Sequence, residues 1–114
     1  MRNNNTILRP ATSKDLQTQG SVRAWVLEED NEIIAVAGVM IDGNYTGFLD
    51  IRKDLPIKAF WKASKEVMKE LKKLNAPIGV IRDKRYNSSK RFLTRLGFKL
   101  YNIQNNQETY IWEL

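Results

Sequence analysis

The sequence predicts an α/β domain of the α+β kind: a mixed, mostly antiparallel sheet with a central parallel pair and helices on both faces. Three observations predict it. Residues 32–42, EIIAVAGVMID, form a nearly all-apolar run, as expected of a strand buried on both faces. The turn DGN at 42–44 leads into a return strand, YTGFLDIR at 45–52, a hairpin built on residues that accept positive φ. Residues 53–75, KDLPIKAFWKASKEVMKELKKLN, space apolar side chains from Ile57 through Phe60, Trp61, Val67, Met68 and Leu71 along one helical face. A short buried strand, PIGVIRD at 77–83, follows. The unit from 45 to 81 is then a right-handed crossover between parallel strands.

The remaining elements fall around this centre. NTILRPA at 5–11 reads as a strand ended by Pro10. TSKDLQTQG at 12–20 reads as at most two helical turns, with Thr12 or Ser13 as cap and Gly20 as stop. SVRAWVLEED at 21–30 alternates Val22, Ala24 and Val26 against Ser21, Arg23 and Trp25, a strand pattern, and turns at Asp30-Asn31. Asp54 and Pro56 mark the start of the long helix; Asn75 and Pro77 mark its end. Lysines 58, 62, 65, 69 and 72 line its outer face, and Trp61 lies on the apolar stripe and is expected in the core. NSSKRFLTRLG at 87–97 is a second helix, capped by Asn87 or Ser88, with Phe92, Leu93 and Leu96 inward and Gly97 as its left-handed stop. FKLYNIQ at 98–104 and ETYIWEL at 108–114 form a last hairpin.

At 114 residues the chain suits one domain with one core, 1–114. It has no Cys and no His. Disulfides and thiolate metal sites are thereby excluded, and the commonest metal ligand and general base are absent. No run reaches the roughly 20 apolar residues of a membrane span, and no signal-peptide core opens the sequence, so a cytoplasmic setting is expected. Charge is divided along the chain. Residues 1–50 hold 4 basic and 7 acidic side chains, a net of −3, whereas residues 51–114 hold 15 and 6, a net of +9. The basic half should attract anions: a phosphorylated cofactor, an acidic protein or, less favoured, nucleic acid. A solvated lysine face accounts for the same charge equally well.

The opening ILRPATSKDL, the hairpin IAVAGVMIDGNYTGFLDI and above all NSSKRFLTRLGFKL resemble the GNAT N-acetyltransferase superfamily over nearly the whole chain. The helix FW…SKEVMKEL followed by RFLTRLGF also resembles small GNAT-like proteins of tailed bacteriophages. The resemblance implies an acetyl-CoA-dependent N-acyltransferase acting on an amine of a small molecule or protein, with no metal. It implies that the fourth and fifth strands splay apart so that the pantetheine arm fills the gap. The pyrophosphate then sits at the start of the long helix, where free N–H groups favour anions. Carried onto this chain, the cofactor positions are Ile51, Arg52, Lys53 and Lys58 at that turn, and Asn87, Ser89 and Arg91 at the cleft edge. Asp50 is the candidate base, acting through water, and Tyr86 the nearest candidate acid.

The chain departs from the family pattern at three places. The family's phosphate loop, RxxGxG, corresponds to RKDLPIKAF, which has no Gly. The usual Tyr of the second helix falls on Leu93, and the expected Asn lies one residue away, at Asn87. The stretch 12–20 has room for one helix where the family has two. These departures support an alternative: a GNAT-fold protein without catalysis that binds a partner or builds a particle, placed in a virion or host cytoplasm if phage-encoded.

Overall fold

The computed structural model describes residues 6–12, 14–15, 21–53 and 57–113, the Ile57 side chain excepted. Seven strands make one sheet in the order β1-β2-β3-β4-β5-β7-β6. They are β1 (Thr6–Pro10), β2 (Ser21–Glu29), β3 (Glu32–Asp42), β4 (Asn44–Ile51), β5 (Ile78–Ile81), β6 (Lys99–Gln104) and β7 (Gln107–Trp112). Helix α1 spans Ile57–Leu71 and closes in a 3-10 turn at Lys72–Leu74; α2 spans Ser89–Leu96. All pairings are antiparallel except β4 with β5.

The turns behave as their residues dictate. Asp30 and Asn31 (φ 52° and 68°) join β2 to β3, Gly43 (φ 70°) joins β3 to β4, and Asn105 and Asn106 (φ 53° and 65°) join β6 to β7. Asn and Asp tolerate this left-handed region through local hydrogen bonding, and Gly has no Cβ to obstruct it. Asn75 (φ 60°) ends the 3-10 turn in the same way.

Thr12 and Asp15 close a turn after β1: the Thr12 N–H and hydroxyl both donate to Asp15 Oδ2, at 2.7 and 3.0 Å, and the Asp15 N–H donates back to the Thr12 carbonyl. Arg9 fixes the same carboxylate with two nitrogens and reaches Glu28 on β2 at 2.8 Å. Hydrogen bonding from Arg9, then from Thr12, holds the Asp15 carboxyl far below the usual carboxylate range. The rest of the segment expected to be helical, Ser13 and residues 16–20, lies outside the described residues.

Both described helices pack on one face of the sheet. Val67, Met68 and Leu71 of α1 join Leu93 of α2, Val39 of β3, Ile78 of β5 and Tyr110 of β7 in the main core. Phe60 stacks on Phe92 with ring centroids 4.9 Å apart, and Trp61 meets Phe92 edge-on at 6.0 Å. Trp61, expected in the core, is half-buried instead, because its ring lies on the side of α1 toward α2, beside Phe92 and under Arg95. Arg95 and Lys65 lie over its ring at 4.7 and 5.9 Å. On the opposite face Ala24, Val26 and Val36 form a smaller cluster with Ala11 and Phe48. The counterpart helix expected there is the segment 12–20, most of which lies outside the described residues.

Helix α2 ends in a Schellman motif. The Phe98 N–H donates to the Leu93 carbonyl at 3.0 Å and the Gly97 N–H to the Thr94 carbonyl at 3.1 Å. Gly97 sits at φ 104°. Leu93 and Phe98, brought together by this bonding, are both buried in the main core. The RLGF motif is therefore a mechanical stop: it turns the chain out of α2 and plants Phe98 in the core before β6.

Candidate active site

The site arises from an incomplete pairing. Parallel strands β4 and β5 are in register only at Tyr45–Ile78 and Thr46–Gly79. Beyond that point they separate. The other edge of β4 stays paired to β3 as far as Ala35–Ile51, and the other edge of β5 stays paired to β7 as far as Ile81–Thr109. Each strand thus presents one free backbone edge to the gap, a place for an amide-bearing ligand to bond as an added strand. Gly47 and Gly79 stand beside the vertex. A Cβ at Gly47 would lie 3.5 Å from Ile78, in ordinary contact, and one at Gly79 would meet nothing within 4 Å. The vertex is therefore narrow in side chains and open to a backbone-like ligand.

The gap widens into a cleft of about 500 Å³ between β4, α1 and the β5–α2 loop. Register assigns its walls to both faces of the sheet. Leu49 and Ile51 pair with Ala37 and Ala35 and share the helix-bearing face, whereas Phe48 and Asp50 pair with Gly38 and Val36 and share the other. Both sets line the cleft, so it passes between the strands and opens on each side. Leu49, Ile51, Ile81 and Tyr86, at 41–53 % exposure, are apolar groups left uncovered because the cleft is there.

The β5–α2 loop is held by a polar network. Arg82 donates through Nε to Ser89 Oγ at 2.8 Å and through Nη1 to both oxygens of Glu108 on β7 at 3.1 and 3.2 Å. Ser89 Oγ also lies 2.9 and 2.8 Å from the carbonyls of Asp83 and Tyr86. Lys84 Nζ donates to the Asn106 carbonyl, tying the loop to the β6–β7 turn. Burial opposes ionisation of Glu108, but hydrogen bonds from Tyr110 and Arg82 outweigh it and keep the carboxyl below its usual value. Burial, then Glu108, pushes the Tyr110 phenol up. The Arg85 guanidinium beside Asp83 lowers the carboxyl of Asp83.

Of the nine positions singled out from sequence, the cleft gathers Asp50, Ile51, Tyr86 and Ser89. Asp50 is exposed and accepts from Arg52 Nε at 3.1 Å. Tyr86 lies on the clamped loop with the Arg85 guanidinium 5.8 Å from its ring. The Ser89 hydroxyl is engaged in the loop's own bonding. Arg52, Lys53, Lys58, Asn87 and Arg91 are exposed and not among the cleft's walls. Lys53 is held by Glu32 on β3 at 3.0 Å. Residues 54–56 of the turn expected to bind phosphate lie outside the described residues. Leu93, where the resemblance placed the expected Tyr, is 7 % exposed and part of the core. Sequence reasoning missed Gly47 and Gly79 as site residues, although isolated glycines inside strands mark close backbone approach. It also passed over the Arg82–Glu108 clamp, whose partners are 26 positions apart.

No protein-family model matches the chain, and no curated protein matches it in sequence. Solved structures do match in fold. A GNAT family acetyltransferase from Elizabethkingia anophelis, with acetyl-CoA bound, superposes with TM-score 0.70 at 13 % identity over 98 % of this chain and 100 % of that one. An N-acetyltransferase from Staphylococcus aureus Mu50 gives 0.71 at 9 % identity, over 95 % and 97 %. The ribosomal-protein-S18-alanine N-acetyltransferase of Escherichia coli gives 0.69 at 11 % identity, over 93 % and 90 %. The chain thus shares the overall fold of these acetyltransferases, the GNAT fold.

Proposed function

We propose that the chain binds acetyl-CoA in the β4–β5 cleft and transfers its acyl group to an amine. The observation that carries this reading is the pair of free strand edges bounding an open, largely apolar cleft. The residues present suit the pantetheine arm. The β4 edge from Gly47 to Ile51 offers unpaired amide groups, and the bare vertex lets a chain approach them. Bound acetyl-CoA would supply an activated acyl group. Free N–H groups of β4 are suited to donate to its carbonyl oxygen. Asp50, on the face opposite the helices, is suited to take a proton from the amine through a water. Its bond to Arg52 must open or be shared for that role. Tyr86 is the nearest phenol for protonating a departing thiolate; Leu93 has no proton to give. At the nucleotide end the reading assigns Lys58 and Arg91, with Arg52, Lys53 and Asn87 near them, to the phosphates.

The amine belongs to a small molecule or a protein; the Escherichia coli neighbour is described as acting on an alanine of ribosomal protein S18. Among the described residues no group of three or more carboxylates could hold a metal ion, and no helix is long and apolar enough to cross a membrane. Calorimetric titration with acetyl-CoA and with CoA, at low and physiological salt, tests the reading. Micromolar binding by both supports it, and no binding by either ends it.

A second reading has its own support in the buried Leu93 and the Arg52-bound Asp50. Here the fold is kept but catalysis is lost, and the cleft or basic helices engage a partner, in a phage particle or on a host protein if the phage likeness holds. Binding of CoA without transfer to any amine or protein would favour it.

A further inference from the structure

Beside the cleft lies a second, smaller void, half-open rather than sealed. It measures about 30 Å³ and sits under the first turns of α1, walled by Trp25, Leu27, Ala35 and Ala63 among others. Ala37, Leu49, Phe60, Ser64 and Val67 line both spaces, so the void is separated from the cleft by side chains alone. Its one hydroxyl, Ser64 Oγ, donates to the Phe60 carbonyl at 2.8 Å and needs no water. A recess walled almost wholly by apolar side chains favours an apolar occupant, whose burial removes that surface from water.

We propose that this void is an acyl-chain pocket and that the cleft prefers a propionyl or butyryl thioester to acetyl. The inference rests on the acyl-CoA reading above. In that reading the anionic end of the ligand lies toward residues 52–58, so the acyl end lies inward along β4. The free N–H groups that would receive the thioester carbonyl run from Gly47 to Ile51, and Leu49 is the middle of that edge. Leu49 is 42 % exposed, hence free to shift on its cleft side, and the void lies behind it. A space of about 30 Å³ is about twice what one water requires. It admits one or two further methylene groups and no long chain.

The test is calorimetric binding of CoA and of acetyl-, propionyl-, butyryl- and hexanoyl-CoA to the full chain. Propionyl-CoA should bind about fourfold more tightly than acetyl-CoA, the worth of one buried methylene, butyryl-CoA at least as tightly, and hexanoyl-CoA no more tightly than butyryl-CoA. Ala63 lines the void and not the cleft. Ala63→Val should therefore abolish the preference while leaving CoA and acetyl-CoA affinities within about twofold. Leu49→Ala removes the partition and should move the optimum to longer chains, which keeps the idea testable if the valine variant folds poorly. Acetyl- and propionyl-CoA binding equally, or a preference that survives in Ala63→Val, would overturn the pocket and leave the acetyl-CoA reading intact. Failure of every thioester and of CoA to bind would overturn both.

Discussion

Replacing Gly97 by Ala tests the joint on which the second half of the fold turns. Gly97 holds φ 104°, where an L side chain is strained by about 1–3 kcal/mol. A Cβ there would also lie 3.2 Å from Cδ1 and 3.4 Å from Nε1 of Trp112, tighter than ordinary contact. Trp112 is packed against the main core and lies under Lys72 at 5.8 Å, so it cannot yield freely. Strain and contact together should cost about 2–3 kcal/mol, or roughly 10 °C in Tm for a domain of this size. Gly43→Ala separates the two contributions: φ is 70° but nothing stands within 4 Å of the added Cβ. It should lose only the backbone part, about 1 kcal/mol. Urea unfolding of the three proteins, with unchanged m, measures the difference. Equal losses at Gly43 and Gly97 would show that the Trp112 contact contributes nothing. A loss at Gly97 under about 0.5 kcal/mol would mean that the Schellman ending of α2 is not what holds the joint.

Other outcomes follow from the same geometry. Gly38→Ala places a Cβ against the Arg23 carbonyl oxygen and 2.5 Å from Ala24 Cα; two backbone strands must part, so the thermal transition should fall by more than for Gly97→Ala. Asp15→Asn should lower stability at neutral pH. The folded carboxyl of Asp15 is depressed by Arg9, so its contribution is full above the unfolded carboxylate value near 4 and fades as pH falls; melting curves of variant and parent should converge in acid. Lys58→Glu and Arg91→Glu should each weaken CoA binding in calorimetry, and unchanged affinity in both would move the phosphates elsewhere. If an amine acceptor is found, Asp50→Asn should slow transfer about 100- to 10,000-fold with acetyl-CoA affinity kept, while Tyr86→Phe should be mild. A steep loss at Tyr86 with none at Asp50 would exchange their roles.

What the sequence disclosed was whatever is written locally. Alternation exposed the strands, the stripe from Phe60 to Leu71 exposed α1, and Asp-Asn, Asp-Gly and Gly-Phe marked turns later found at positive φ. The basic–acidic division was visible too, but not its pairing: Lys53 with Glu32 and Arg82 with Glu108 join residues far apart in the sequence. Trp61 shows a limit of periodicity. It sits on the apolar stripe, yet its half-buried ring lies against Phe92 and Arg95 of the neighbouring helix. Ile81 shows the same limit. It extends a buried-looking strand, and is 53 % exposed because β4 has already turned away. A splay is a property of two strands and has no signature in either.

The two ends of the cleft differ in how far they are built, and that difference ranks the functional readings. At the vertex, backbone edges, small residues and apolar walls agree on a ligand that behaves as a strand. At the mouth the sequence lacks glycines, and two cations of the expected phosphate turn are taken up by Asp50 and Glu32. A cofactor held mainly at its pantetheine end would depend little on ionic strength; one held by phosphates would weaken steeply with salt. The salt dependence of CoA binding therefore tests which end supplies the affinity. A shallow dependence is expected, with Lys58 and Arg91, which form no ion pair among the described residues, contributing a minor share. A steep one would mean that Arg52 and Lys53 exchange their carboxylate partners for phosphate, releasing Asp50 as the cofactor binds. In that case occupancy of the mouth and readiness of the base would be one event.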